Sequence, residues 1–148
     1  MIVRGRPESD DVGFWTLGNR FVSLQGRSRL AISFLYSYQI SRNTEVAPGW
    51  HVRSRNYFHQ VHRQTGPELI AFHWHPGRAG QPEYPHLHVD GAPGPVTIAR
   101  KNHVPTGRVS LESTVRFLIT ELDVQPLRDD WESVLDEGER AFMSQRTW

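Results

Sequence analysis

Four of the chain's eight histidines lie within one short span, FHWHPGRAGQPEYPHLH, as a His-x-His pair at each end. The first pair is His73 with His75, and the second is His86 with His88. Imidazole suits two kinds of chemistry near neutral pH: proton transfer, and coordination of a divalent metal such as zinc. The spacing therefore predicts a site, with these two chemistries as alternatives.

Metal binding follows from strand geometry. Two histidines at positions i and i+2 of a strand project from the same face, with backbones roughly 6.5 to 7 Å apart, so that both can reach one ion. Three protein ligands and one open position suit the activation of water by a metal-dependent hydrolase. This alternative predicts a zinc-like ion held by ligands from these positions: His73, His75, His86, His88 and His103, with Asp90 or Glu83 as substitutes for the last.

Acid-base catalysis without a cofactor is the other alternative, and it takes RNA as the substrate. One histidine would accept the proton of a 2′-hydroxyl, another would protonate the leaving oxygen, and arginine would stabilise the phosphate charge. The predicted catalytic residues are His86 and His88, with His73 and His75 as second partners. Arg108 and Thr106, just before a helix N-terminus, and Arg55 are the predicted phosphate ligands.

The position of Arg55 depends on the register of the strand that precedes the first histidine pair. A two-residue turn would place Phe58 and Asn56 beside His73 and His75. A three-residue loop would instead place Tyr57 and Arg55 there. The sequence leaves both registers open.

The histidines belong to a predicted antiparallel sheet of about four strands. LAISFLYSYQI alternates in polarity, the segment 50–62 is rich in aromatic and β-branched residues, and RQTGP connects it to ELIAFHWH; YPHLHVD is the fourth strand. In the third strand Ile70, Phe72 and Trp74 share one face and the histidines share the other. The same parity in YPHLHVD predicts that the imidazoles gather on one outer surface of the sheet.

Two helices are predicted after the strands. SLESTVRFLITEL carries an apolar stripe at helical spacing with Ser110 as N-cap, and a second helix starts at Asp129 with Glu132 in a capping-box position. The second helix has Trp131, Val134, Leu135, Gly138 and Phe142 on one face. Together these elements predict one α+β domain over residues 1–148, with both C-terminal helices packed on one face of the sheet.

The N-terminal segment has two interpretations. Phe14, Leu17, Phe21 and Leu24 recur at helical spacing, which predicts a short first helix ending before Gly26. A strand that ends near Trp15 is the alternative.

Composition excludes several classes of function. The net charge of +1 gives no general field for nucleic acid or anionic membrane, so any attraction to phosphate must be local. No apolar run is long enough for a membrane helix or resembles a signal peptide, which predicts a cytoplasmic protein with no membrane partner. The chain has no cysteine, so imidazole and carboxylate are the expected metal ligands.

The motif YPHLHVDG, with an aromatic-rich strand before it and a helix after it, resembles the Pro-His-centred motif of TumE-type toxins from bacterial toxin–antitoxin systems. Tyr84, Pro85, His86 and His88 match that motif. The preceding run Trp74-His75-Pro76 departs from it, because the family's Asp-Asn is missing. The resemblance implies a small cytoplasmic protein with a neighbouring antitoxin as partner and RNA as a candidate target, which agrees with the hypothesis of a toxin-like ribonuclease. The segments HWHP, YPHLHV and HVPTGRVSLE also resemble small bacterial proteins without an assigned function.

A third hypothesis is a non-enzymatic interaction module. In that case the histidine face, together with Trp50 or Trp148, would bind a partner chain.

Overall fold

The computed structural model describes residues 12–16, 21–42, 50–90 and 102–145. Its strands are β1 (Val12–Thr16), β2 (Val22–Ser23), β3 (Leu30–Arg42), β4 (Trp50–Arg63), β5 (Glu68–Trp74), β6 (His86–Val89) and β7 (Val104–Pro105), and its helices are α1 (Leu111–Glu121) and α2 (Trp131–Gln145). Strands followed by helices confirm the predicted α+β class. Neither of the helices in these ranges is long and apolar enough to cross a membrane.

The described strands form one open antiparallel sheet in the order β1-β3-β4-β5-β6-β7. The short strand β2 also pairs with β3, next to β1 along the same edge. The sheet is thus six strands wide rather than about four. The additional strands β1 and β7 lie at its edges and have five and two residues, too few to show a clear alternation of polarity.

The predicted N-terminal helix is wrong for the residues that the structure describes, because Val12–Thr16 pairs with Leu35–Gln39 of β3. The strand alternative is correct. Gly13 lies opposite Tyr38, and the Tyr38 ring occupies the space that a side chain at Gly13 would need. Backbone pairing along the edge of β3 thus overrides the helical spacing of Phe14, Phe21 and Leu24. Leu17, the fourth residue of that pattern, lies outside the described residues.

The core lies between α1 and one face of the central strands. Alternate residues of β3, Leu30, Ile32 and Phe34, pack there with Val61 of β4 and Leu118 of α1. The Phe117 ring of α1 meets the Phe72 ring of β5 edge to face, with centroids 6.4 Å apart. Helix α1 begins as predicted, because the Ser110 side chain accepts a hydrogen bond from the Ser113 amide at 2.9 Å. The prediction of a helix on the apolar face of the sheet is confirmed for α1.

Helix α2 packs against α1. The hydroxyls of Ser110 and Ser113 donate to Glu139 Oε2 at 2.6 and 2.9 Å, and Arg116 forms an ion pair with Asp136. The helix starts at Trp131 rather than Asp129. Asp130 rather than Asp129 therefore precedes the first helical residue, which offsets the predicted capping-box spacing of Asp129 and Glu132 by one position. The carboxylate of Asp130 accepts two hydrogen bonds from Arg128, both at 2.8 Å.

Candidate functional site

The pairing of β5 with β6 brings the two His-x-His pairs together. His73 lies directly opposite His86, and His88 lies opposite Ala71. The ring centroids of His73 and His88 are 4.8 Å apart, and those of His75 and His86 are 5.1 Å apart. Strand parity therefore predicted correctly that these four imidazoles share one face of the sheet.

His103, the residue just before β7, joins the same group. Its neighbour Val104 pairs with Leu87, which places His103 beside the second histidine pair. Its ring centroid is 4.8 Å from that of His86 and 4.7 Å from that of His88. We call His73, His75, His86, His88 and His103 the histidine cluster.

The histidine cluster is not the outer surface that strand parity predicted. His86 is 0% exposed to solvent, and His75 is 7% exposed. The Phe58 ring stacks on His75 at 5.5 Å and meets His73 edge-on at 4.9 Å. Because the rings pack on one another and on Phe58, His75 and His86 are buried and the other three imidazoles are half-buried on the face opposite α1.

Burial disfavours the protonated form of four of these imidazoles and lowers their pKa, namely those of His73, His75, His86 and His103. Loss of solvent, and then the nearby imidazoles of His88 and His86, lower the pKa of His73 to about 3. Burial is also the largest cause that lowers the pKa of His75, His86 and His103. A neutral imidazole has a nitrogen lone pair available, which is the form that binds a metal.

The hydrogen bonds of the cluster fix the tautomer of His86. Its Nδ1–H donates to the backbone carbonyl of Tyr84 at 2.9 Å, so Nε2 carries the lone pair. Within the described ranges, His86 Nε2, His73 Nε2 and His75 Nδ1 are buried without a hydrogen-bond partner. Buried polar atoms are usually satisfied by the protein, by water or by an ion, so these nitrogens are free of protein partners that would compete with an ion.

Two sets of three histidines have ligand nitrogens that all lie within 4.8 Å of one another: His73, His75 and His86, and His86, His88 and His103. We call them the inner and the outer triad. A tetrahedral ion with bonds of 2.0 to 2.1 Å requires nitrogens roughly 3.3 Å apart, so small rotamer changes would close either triad. Both triads use His86. Asp90 and Glu83, the predicted substitutes for His103, belong to neither triad among the described residues.

The register of β4 against β5 decides which side chains accompany the cluster. Phe58 lies opposite His73, and Tyr57 lies opposite Trp74 on the α1 face. Phe58 is the neighbour that the two-residue-turn alternative predicted, but the turn itself has the pairing of the three-residue loop, because His62 lies opposite Glu68 and the Arg63 amide donates to the Pro67 carbonyl. The register is reached through a β-bulge, because His62 pairs with Glu68 while Val61 pairs with Ile70, which leaves Leu69 as the extra residue.

The structure places two of the predicted phosphate ligands, Arg108 and Arg55, in a cavity beside Trp74 rather than in the histidine cluster. Arg108 lies over the Trp74 ring, with 3.6 Å from its guanidinium carbon to the ring centroid, on the α1 face. Arg55 lines a cavity with these two residues. Thr106 pairs through its amide with the Pro85 carbonyl at 2.8 Å. The arginine whose charge contributes to lowering the pKa of His75 is Arg78, which the sequence did not single out.

His59 is a buried histidine that the sequence did not assign to the core. Its Nδ1–H donates to Thr114 Oγ1 at 2.8 Å, because the Thr114 hydroxyl itself donates to the Ser110 carbonyl at 3.1 Å. Its Nε2 therefore accepts from the Tyr36 hydroxyl at 2.6 Å. Burial lowers the pKa of His59 to about 3. The signal that could have identified it is its parity with Val61, which shares the α1 face.

Trp148, which the interaction-module hypothesis names with Trp50, lies outside the described residues. No protein-family model matches the chain, and no curated protein or solved structure matches it either.

Proposed function

We propose that the protein binds one divalent transition-metal ion, of which zinc is the best example, through the histidine cluster. The observation that carries this proposal is the inner triad. Its three residues, His73, His75 and His86, have ligand nitrogens within 4.8 Å of one another. Each of them also has a buried ring nitrogen without a hydrogen-bond partner among the described residues. An ion would satisfy all three at once.

The chemistry of the donors selects the class of metal. Imidazole suits zinc, copper, nickel and iron, whereas magnesium and calcium require oxygen ligands. Neither triad contains a carboxylate within the described part of the chain. The bond from His86 Nδ1–H to the Tyr84 carbonyl is the kind of support that metal-binding histidines usually have, since it fixes the tautomer and the ring orientation.

A hydrolytic activity would be an extension of this function. Three protein ligands leave a tetrahedral ion one position, at which it supplies a water of lowered pKa. His88 and His103 of the outer triad lie next to His86, with ring centroids 5.0 and 4.8 Å from it. A neutral imidazole in that position can accept a proton, so these two residues are the candidates for a general base.

The ribonuclease hypothesis stays a prediction, and the geometry supports it less well. Acid-base cleavage needs one imidazole that is protonated near neutral pH, whereas burial lowers the pKa of His86, His75 and His73. It also needs a cation beside the imidazoles, and Arg108 lies over Trp74 on the other face. Arg78 is the residue that could take this role.

Elemental analysis of protein purified without an affinity tag tests the proposal. Zinc affinity would then be measured by competition with a chromophoric chelator for the wild type, His86→Gln and His62→Gln. The last variant is the control, because His62 lies on β4 and packs against Phe21 at 4.1 Å, outside the cluster. We expect His86→Gln alone to weaken zinc binding by at least 100-fold.

Two results would contradict the metal proposal: a folded wild type that takes up no zinc, cobalt or nickel, or a folded His86→Gln that binds zinc as tightly as the wild type. An RNA cleavage assay with and without chelator separates the alternatives. Cleavage that resists the chelator but is lost in His86→Gln would support the ribonuclease hypothesis instead.

A further inference from the structure

A second site lies where β5 ends beside β4. A cavity of about 630 Å³ opens there, and its charged and polar lining comes from Arg53, Arg55, Arg108, Ser37 and Asn56, with Trp74 as its aromatic wall. We call it the arginine cavity. Its volume is within the range of about 300 to 1,000 Å³ that is typical of small-molecule sites.

The cavity follows from the unequal lengths of two strands. Trp74, the last residue of β5, pairs with Tyr57, and the chain then turns away at Gly77, whose φ is +80°. Strand β4 extends in the other direction to Trp50, so the segment 50–56 has no residue of β5 opposite it. Within the described ranges, no strand pairs with this segment on the side of β5, and the cavity lies beside it.

A β-bulge directs both charged and polar side chains into the same gap. Asn56 pairs with Ser37 and Ser54 pairs with Tyr38, which leaves Arg55 as the extra residue. A bulge bends the strand and changes the direction of a side chain. This explains why Arg55 and Asn56, although adjacent in the chain, both line the cavity.

Every charged group in the described lining of the cavity is positive. It contains three guanidinium groups and no carboxylate among the described residues. Within that part of the chain, Arg53 and Arg55 form no ion pair. Because the whole chain carries a net charge of only +1, this is a local concentration of positive charge and not a general one.

The floor of the cavity contains two buried polar atoms without partners. Ser37 is 1% exposed, and its Oγ and the Oδ1 of Asn56 lack hydrogen-bond partners within the described ranges. The two residues face each other across β3 and β4. Buried polar atoms of this kind are usually satisfied by a ligand or by water.

We propose that the arginine cavity binds a phosphate monoester of a small molecule. Guanidinium groups bind phosphate oxygens through paired N–H donors, and three of them suit a dianion better than a carboxylate, which one arginine can satisfy. The Asn56 side-chain amide, which belongs to the same lining, can bond a hydroxyl of the organic part. This proposal goes beyond metal binding and does not depend on it.

The cavity adjoins the histidine cluster through the chain itself. Trp74 and Pro76 line the cavity, and His75 between them belongs to the cluster. On β4, Asn56 lines the cavity, and Phe58, two residues on, stacks on His75. A ligand bound by the arginines would therefore lie on the other side of these residues from the imidazoles.

The test uses metal-free protein, so that phosphate cannot bind through an ion. Binding of inorganic phosphate and of glycerol phosphate, with acetate for comparison, would be measured by calorimetry and by the NMR signal of the Trp74 indole N–H. We expect glycerol phosphate to bind more tightly than acetate by at least tenfold. Arg55→Gln and Arg53→Gln should each weaken this binding by about tenfold or more.

Arg63→Gln is the matched control, because Arg63 is exposed at the other end of the same strand and its loss changes the net charge equally. Wild-type binding in this variant supports the cavity. The proposal would be overturned if Arg63→Gln and Arg55→Gln lost the same phosphate affinity, if acetate bound as tightly as glycerol phosphate, or if neither phosphate bound. It would also be overturned if an RNA oligonucleotide were the only ligand whose binding depends on Arg55. His86→Gln should bind phosphate as the wild type does. Failure of the phosphate proposal can therefore be distinguished from failure of the metal proposal.

Discussion

The Nδ1–H of His86 donates to the backbone carbonyl of Tyr84, two residues earlier, at 2.9 Å. Pro85 between them favours this contact, because its ring fixes its own φ and restricts Tyr84 to extended conformations. The bond leaves one lone pair on His86, at Nε2, and both triads need it. His86 therefore limits what the histidine cluster can hold.

The first prediction is that the protein binds one zinc ion per chain and not two. A second ion would have to bind the same Nε2, or it would have to displace the Nδ1 proton that is hydrogen-bonded to the Tyr84 carbonyl. Zinc titration of metal-free protein, followed by native mass spectrometry, should reach a plateau at one equivalent. A plateau at two equivalents that both depend on His86 would show that its imidazole bridges two ions.

The second prediction assigns the ion to the inner triad. Its nitrogens on His73 and His75 lack hydrogen-bond partners within the described residues, so an ion there satisfies more buried atoms. His75→Gln should weaken zinc binding by at least 100-fold, whereas His103→Gln should weaken it by less than about tenfold. The reverse order of the two variants in a chelator competition would place the ion in the outer triad.

The location of the site could be predicted from the sequence because strand parity is a local property. His73 and His75 alternate with Phe72 and Trp74, and this alternation settles their face wherever the strand pairs. The burial of the cluster was not predictable, since it depends on Phe58 of a different strand. No property of β5 alone shows which residue of β4 will lie opposite His73.

Irregular pairing explains what the sequence could not supply. The bulge at Leu69 sets which residues oppose the histidines, and the bulge at Arg55 turns that side chain into the cavity with Asn56. An inserted residue reverses parity locally, and no periodicity marks it beforehand. The prediction that Arg55 and Arg108 serve one site therefore identified residues that do lie together, but beside Trp74.

The third prediction concerns Gly26, which holds the turn before β3 against the segment after α1. Gly26 has a φ of +136° and forms a β-bridge with Val124, and a Cβ there would overlap the Asp123 carbonyl oxygen. Gly26→Ala should lower the free energy of unfolding by roughly 2 to 4 kcal/mol, from backbone strain and overlap together.

Gly80→Ala is the control for this prediction, because Gly80 has a φ of +74° but no atom within 4 Å of a Cβ position. That variant should lose only the cost of the left-handed conformation, about 1 kcal/mol. Urea unfolding followed by tryptophan fluorescence measures both values. Equal losses in the two variants would mean that the contact with Asp123 does not matter.

The fourth prediction is a pH dependence of stability that comes from His59. Burial lowers its pKa from 6.5 to about 3 in the folded state. Between these values the unfolded chain binds the proton and the folded chain does not, so the free energy of unfolding falls as the pH falls. One such group contributes a slope of up to about 1.4 kcal/mol per pH unit. The stabilisation is complete above pH 6.5 and is lost towards pH 3.

Two variants separate this slope from the hydrogen bonds of His59 and from the other histidines. His59→Gln removes the titrating group, so its unfolding free energy, measured in chelator at several pH values from 4 to 7, should depend on pH less steeply than that of the wild type. Tyr36→Phe removes the 2.6 Å bond to Nε2 together with the hydrogen bond that the Tyr36 hydroxyl accepts from the Leu111 amide, and it should cost about 1 to 3 kcal/mol at every pH, with the wild-type slope retained. Burial is the cause of the low pKa of His59, which is why the slope does not need the Tyr36 hydroxyl. An unchanged slope in His59→Gln would show that the acid sensitivity comes from other groups.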